Sequence, residues 1–348
     1  MQIVRQRAYC RAGLVGNPSD GYHGKTISII VRDFFADVIL YEWERIELLL
    51  SQDDHSRFDS IQSLAQDVRL HGYYGGIRLV KATLKRFVEF CATQRELGRS
   101  GFDLHDRKFS IRYESNIPRQ VGLAGSSAII VATLRALMEF YEIEIPLHVQ
   151  PSVVLNVETE ELGIAAGLQD RVIQVYEGAV YMDFAPSAMQ TELGHNFGTY
   201  EALDPSLLPP LFVAFSSDAG EPTEAFHNPL RALYEQGEPK IVNAMQQFAD
   251  YALAARQAIL DQNAQQLGEL INKNFDTRRS IFQLPPRQVQ LVEAARSVGA
   301  SAKFAGSGGA IIGTYENEAM YELLTQNLHR LGCEVIKPQI GTSRETRV

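Results

Sequence analysis

The sequence predicts two α+β lobes, and three observations lead there. Its 348 residues correspond to two domains of ordinary size. Within 25–163 a strand-rich stretch is followed by helical patterns. Within 211–331 the same succession returns, strand first and helices after. Strands and helices that follow one another in separate runs belong to α+β architecture. Between the halves, residues 186–210 carry Pro186, Pro205, Pro209 and Pro210 with few periodic apolar positions. This marks a domain junction, with expected domains at 1–190 and 208–345.

The elements follow in order. Residues 25–50 are rich in β-branched and aromatic side chains and read as strands. Ile77, Val80, Leu84, Phe87 and Val88 recur at helical spacing within 75–97. The segment FSIRYESNIP alternates as a strand does and stops at Pro118. A helix starts near Ser126, with Ile130, Leu134, Leu137, Met138 and Tyr141 on one face. Another is expected over 151–163, and AVYMDF is strand-like. In the second half PLFVAFS reads as a strand, and 238–280 and 286–298 read as long helices. The stretch AKFAGSGGAIIGTYE reads as a strand pair broken by glycines, with a helix at 317–331.

Composition narrows the function classes. Hydrophobic residues make up 45% and charged residues 22%, the balance of a globular protein. A formal net charge of -9 gives no general attraction for nucleic acid. Any anionic ligand must therefore be met by locally placed Arg, Lys, metal or backbone N–H groups. Cys10, Cys91 and Cys333 are odd in number and far apart, the pattern of reduced thiols in the cytoplasm. MQIVRQRAYCRAG has no apolar run of signal-peptide length, and no stretch is long enough to span a bilayer. A cytoplasmic protein is expected.

The strongest local signal is Pro118-Arg-Gln-Val-Gly-Leu-Ala-Gly-Ser-Ser-Ala128. A strand enters, glycines turn the chain and an amphipathic helix leaves. Gly122 and Gly125 admit close approach of a ligand, and the helix start attracts an anion such as phosphate. Ser126 or Ser127 caps the helix or presents a hydroxyl to Mg²⁺. The plainer reading is an ordinary capped helix after a turn, and taken alone the two stand even. Ser19-Asp-Gly-Tyr-His-Gly-Lys-Thr26 imitates a Walker A loop, with Ser19 in place of its first glycine. A Walker loop must open a helix, whereas Thr26-Ile-Ser-Ile-Ile-Val31 is extended in character. That reading is rejected. Asp20 in this turn is either functional or an Asx-turn residue.

Glu158-Thr-Glu-Glu-Leu-Gly163 precedes Asp170 and Arg171. One carboxylate for Mg²⁺ and another to orient the nucleophile suit phosphoryl transfer. Glu160 and Glu161 read as a solvated helix face, and Asp170 alone reads equally as a helix cap. Lys303-Phe-Ala-Gly-Ser-Gly-Gly-Ala310 bends a strand or lets it pass close to a ligand. It lacks the spacing of a dinucleotide fingerprint. No HExxH or zinc-ligand spacing occurs, and the eight histidines are scattered.

Taken together and in order, these sites resemble the three motifs of the GHMP kinases. Arg11-Ala-Gly-Leu-Val-Gly-Asn-Pro-Ser-Asp20 looks like the first, Gly122-Leu-Ala-Gly-Ser-Ser-Ala like the second, and Lys303 through Gly309 like the third. Glu158 stands twelve residues before Asp170, as in the family's sugar kinases. The resemblance covers residue 11 to about 313. Within the superfamily it is most similar to the glucuronokinases, on NPSDGYHGKTIS, GYYGGIRL, NIPRQVGLAGSSAI, ELGIAAGLQDRV, LLPPL, NFDTRR and Ala302–Ala310. Asn17 and Pro18 depart from the Glu-His common in galactokinases.

The resemblance implies an N-terminal ATP-binding lobe and a C-terminal α+β lobe of ferredoxin-like type, with the active site between them. It implies ATP- and Mg²⁺-dependent phosphorylation of D-glucuronate at its anomeric hydroxyl. The rival readings are a kinase of the same fold for galacturonate, galactose or a heptose derivative, and a non-catalytic nucleotide or sugar sensor. The implied roles are Asp170 and Arg11 in catalysis, and Gly122, Leu123, Ala124, Gly125, Ser126, Ser127, Gly306, Ser307 and Gly308 at the nucleotide. Ser127 and Glu158 hold Mg²⁺, and Asp20 binds sugar hydroxyls. The substrate's carboxylate needs a cation, for which Lys25, Arg171, Arg278 and Arg279 are the candidates. Arg279 is preferred to Arg278, being one turn from Phe275, which is expected to face inward.

Overall fold

The computed structural model describes residues 1–50, 60–61, 75–216 and 228–341. Gly72, Tyr73 and Tyr74 of the GYYGGIRL likeness, and 342–345 of the expected second domain, lie outside the described residues.

The first lobe is built on β1 (Ile3–Val15) and β2 (Lys25–Glu42), which pair antiparallel over nearly their whole length. A 3-10 turn (Ser19–Tyr22) joins them. After β3 (Glu47–Leu48), α1 (Ile77–Glu96), β4 (Phe109–Ser115), α2 (Gly125–Tyr141) and α3 (Gln150–Asn156), a π-helical turn covers Val157–Glu161. Next come α4 (Leu168–Tyr176), β5 (Ala179–Asp183), the hairpin β6 (Gln190–Glu192) and β7 (His195–Phe197), and β8 (Thr199–Leu203). The sheet runs β3-β4-β2-β5-β8, with β1 on β2.

The β-branched run in β2 is buried on both faces. Ile27, Ile29 and Val31 enter the main core with Ile130 and Leu134 of α2. Ile30 lies in a smaller core with Val172 and Ile173 of α4. Helix α2 was expected to bury one face. It is buried nearly all round, because it lies at the centre of the lobe rather than on its surface.

The second lobe holds β9 (Leu211–Ser216), α5 (Asn228–Glu235), α6 (Pro239–Leu260), α7 (Ala264–Ile281), α8 (Pro286–Arg296), β10 (Lys303–Phe304), β11 (Ala310–Thr314), α9 (Glu318–His329) and β12 (Cys333–Ile336). Its antiparallel sheet has the order β10-β11-β9-β12. The stretch expected as a junction is partly sheet. β8 pairs with β5 from Ala179↔Leu203 to Asp183↔Thr199, so the first lobe continues past residue 190. The sparse apolar periodicity there reflects a half-exposed edge strand and an exposed hairpin.

The lobes share apolar packing, since one core joins Leu14 and Ile27 to Val213, Ala255, Ala305 and Ile312. Among the described residues no helix is long and apolar enough to cross a membrane.

Candidate active site

Five charged side chains from four places in the first lobe lie together, with Arg11 close to Gly306 of the second lobe. Arg11 comes from β1, Asp20 from the 3-10 turn, Glu158 from the π-helical turn, and Asp170 and Arg171 from the first turn of α4. Single π turns widen a helix by one residue and recur at functional sites. Here the turn carries Glu158 into the interior, where it is 2% exposed.

The contacts alternate in sign. Arg11 Nε and Nη2 donate to the two oxygens of Asp170 at 2.5 and 2.6 Å. Arg171 Nη1 lies 3.4 Å from Asp170 Oδ2, and its Nε donates to Glu158 Oε2 at 2.5 Å. Asp20 Oδ2 accepts from the N–H of Gln169 at 3.4 Å.

The environments separate the three acids. Burial drives the Asp170 carboxyl up, but the charge and hydrogen bonds of Arg11, with Arg171 behind them, hold it below its ordinary value. Burial raises Glu158 despite Arg171. Asp20 is pushed up to about 6, by burial first and by the charge of Asp170 second. Asp170 is therefore an ionised, clamped carboxylate, while Asp20 is shifted the opposite way.

Beside this cluster two glycine-rich loops close on each other. Ala124 has φ 60 and starts α2 from the left-handed region, and Gly122 has φ 75. A Cβ on Gly122 would lie 2.3 Å from the carbonyl of Gly308, and one on Gly306 would lie 2.5 Å from the carbonyl of Gly122. Arg11 Nη1 donates to that Gly122 carbonyl at 2.5 Å. The first-turn N–H groups of α2 have no acceptor within their helix. Together with the backbone approach that only glycine permits, they form a cradle that fits a polyphosphate. Ser127 is buried and its Oγ donates to the Ala124 carbonyl at 3.2 Å, whereas Ser126 is exposed. The Ser127 hydroxyl and the Glu158 carboxylate, whose Oε2 is held by Arg171, are oxygen donors of the kind Mg²⁺ takes. No cluster of three His, Cys, Asp or Glu able to hold a metal occurs among the described residues. This donor set suits Mg²⁺, which takes one or two carboxylates and completes its shell with phosphate and water.

Arg11, Asp20, Glu158, Asp170, Arg171, the 122–127 loop and the 306–308 loop are thus neighbours in space. The carboxylate-binding candidates fare differently. Arg279 does not face inward. It is 55% exposed and pairs with Glu293 on the surface. Arg278 is the inward member, 3% exposed, donating to the carbonyls of Gly306 at 2.8 Å and Ser307 at 3.0 Å. The buried stripe of α7 runs Leu267, Leu270, Ile271, Asn274, Phe275 and Arg278. Position 278 is within a turn of both Asn274 and Phe275, whereas 279 is within a turn of Phe275 alone and lies at the edge of the stripe. Lys25 pairs with Asp183 at 2.8 Å across β2 and β5. Arg171 is held by Glu158 and by the Gly167 carbonyl at 2.8 Å.

Two residues carry structural roles that the motifs did not announce. A Cβ on Gly167 would sit 2.2 Å from Asp20 Oδ2, so this glycine leaves room for the carboxylate. Lys303, 1% exposed, donates to the carbonyls of Gly13 at 2.6 Å and Phe304 at 2.8 Å. A lysine between apolar strand residues was the signal for the second, and the sequence near Gly167 offered none.

Comparison with known proteins places the chain in a family. The GHMP kinases N terminal domain matches residues 78–178 and the GHMP kinases C terminal domain matches 255–329. Glucuronokinase 1 of Arabidopsis thaliana is 39% identical over 98% of this chain and 93% of its own length. Probable glucuronokinase 2 of the same plant is 40% identical over 89% of this chain and 84% of its own. A crystal structure of Lactococcus lactis galactokinase complexed with galactose has a TM-score of 0.70 at 14% identity, covering 98% of this chain and 94% of that one.

Proposed function

The chain belongs to the GHMP kinases, and from that membership we propose that it transfers the γ-phosphoryl of ATP to the anomeric hydroxyl of D-glucuronate, yielding glucuronate 1-phosphate and ADP. The observation that carries the reading is the near-full-length likeness to two glucuronokinases, in a chain whose clamped Asp170 borders a helix start built for phosphate.

Phosphoryl transfer asks a protein chiefly for positioning and charge, and this site supplies both. The start of α2 receives the nucleotide phosphates on the N–H groups following Gly122–Gly125. Glu158 and Ser127 would hold the Mg²⁺ that accompanies ATP, and the ion would supply neutralisation of the phosphate charge. The Gly306–Gly308 loop backs the 122–127 loop. Arg11, beside the Gly122 carbonyl, lends positive charge to the reacting end. Asp170, ionised and held by both nitrogens of Arg11, orients the acceptor hydroxyl and receives its hydrogen bond. Its depressed proton affinity suits a loose transition state, in which the hydroxyl proton leaves late. Asp20 binds sugar hydroxyls, and the Gly167 gap allows it to. The two lobes act as the N-terminal ATP-binding and C-terminal domains. Three buried free thiols support a reducing, cytoplasmic setting.

The test is nucleoside diphosphate release, ADP from ATP and UDP from UTP, with glucuronate, galacturonate, galactose, glucose and mevalonate. Glucuronate with ATP and Mg²⁺ is expected to give the highest kcat/KM. A higher value for a neutral sugar or for mevalonate sinks the assignment.

A further inference from the structure

We propose that Arg231 grips the carboxylate of the acceptor sugar acid and so selects acids over neutral hexoses. The inference rests on the glucuronate reading and adds to it the residue that sets the substrate class.

A hexuronate brings a full negative charge into an acidic protein. Five described cations near the site are bound to other protein groups and are little exposed. Arg11 is bound to Asp170 and Gly122. Arg171 is bound to Glu158 and Gly167. Lys25 is on Asp183. Arg278 and Lys303 are buried against loop carbonyls.

Arg231 on α5 is placed otherwise. Its Nη1 donates at 3.2 Å to the carbonyl of Gly21, the residue after Asp20. Its guanidinium carbon stands 5.9 Å from the centre of the Tyr22 ring. Its Nε is fixed by Glu235 at 2.9 Å, yet the side chain is 60% exposed, so a ligand can reach the Nη1–Nη2 edge. The same helix holds the turn a second time. Tyr234 donates its hydroxyl to the Tyr22 carbonyl at 3.1 Å and meets the Tyr22 ring edge-on at 4.9 Å. The Tyr22 phenol, raised mainly by burial, feels the charges of both Arg231 and Asp20. A guanidinium is thus latched one residue from the carboxylate that binds sugar hydroxyls. Its planar fork matches a carboxylate with two parallel hydrogen bonds. On a hexuronate the carboxylate and the ring hydroxyls belong to one small ring, so one molecule can reach both residues.

The experiment compares wild type, Arg231→Gln and Arg231→Lys with glucuronate and with glucuronamide, which keeps every hydroxyl and loses the charge. For Arg231→Gln, KM for glucuronate is expected to rise roughly 10- to 100-fold, with kcat at saturation and KM for ATP unchanged. kcat/KM for glucuronamide stays within about twofold of wild type, and lysine restores part of the loss. Unchanged glucuronate kinetics in Arg231→Gln overturn the proposal, as does an equal loss on glucuronamide, which assigns Arg231 to holding the turn. If the wild-type protein prefers a neutral sugar outright, the glucuronate reading falls and this one with it. If it prefers glucuronate and Arg231→Gln keeps the wild-type KM for it, only the role of Arg231 falls.

Discussion

Asp170 and Asp20 show how two carboxylates in one site acquire different tasks. Asp170 has both oxygens on Arg11. Asp170→Asn keeps the shape and removes the charge, and kcat is expected to fall about 10²–10⁴-fold with KM for ATP little changed. Steady-state kinetics check this, and a variant that keeps more than about half of kcat removes Asp170 from the mechanism. Asp20 carries the opposite shift. Its folded-state pKa is about 6, above the 3.8 of a free aspartate, so the folded protein holds that proton more tightly than the unfolded chain. The contribution favours folding at low pH, declines as pH rises from about 4 to 6, and is gone above that. Asp20→Asn is therefore expected to raise Tm more at about pH 7.5 than at about pH 4.5. An equal shift at both values contradicts the assignment.

Helix α7 shows what one residue of register decides. Arg278 lies on the inward stripe and holds the Gly306–Ser307 turn, while Arg279 points to solvent. Arg278→Gln leaves buried carbonyls short of donors and is expected to cost about 2–4 kcal/mol, with a raised KM for ATP. Arg279→Gln removes one exposed ion pair and changes stability by less than about 0.5 kcal/mol. Denaturant titration separates them, and equal effects refute the orientation. The turn before α4 offers a steric counterpart. Gly167 has an ordinary extended φ of -116, so alanine there brings no backbone strain, only a Cβ where Asp20 Oδ2 lies. Gly167→Ala is expected to raise KM for the sugar at least about tenfold while KM for ATP holds. A sugar KM that stays put means that Asp20 does not touch the acceptor.

Across the whole molecule the lobes are tied at several levels. Lys303 and Ala305 of the second lobe bind Gly13 of the first. Asn274 accepts from the N–H of Gly16 at 2.6 Å and donates to the Asn17 carbonyl at 3.1 Å. Past β12 the chain returns to the first lobe, where Gln339 accepts from Arg32 and Gly341 from Gly178. With a core that crosses the boundary, thermal unfolding is expected as a single transition with matching calorimetric and van't Hoff enthalpies. Two resolved transitions show that the lobes unfold separately.

The sequence by itself determined the two α+β lobes, the helix that starts within a residue of Ser126, and the order of Arg11, Asp20, Glu158, Asp170 and the Gly306–Gly309 loop. These are local matters of periodicity, turn chemistry and motif spacing, written in short windows of residues. Tertiary structure alone decided that β8 closes the first sheet, because an edge strand with one half-buried face leaves little apolar pattern. It decided that Arg278 rather than Arg279 turns inward, since helix phase is set by what the helix packs on. It also decided which groups the buried charges meet. Arg11 lies 159 residues from Asp170, and Lys303 lies 290 from the Gly13 carbonyl it binds. Contacts at such separations exist only once distant parts of the chain have folded against each other and excluded water from between them.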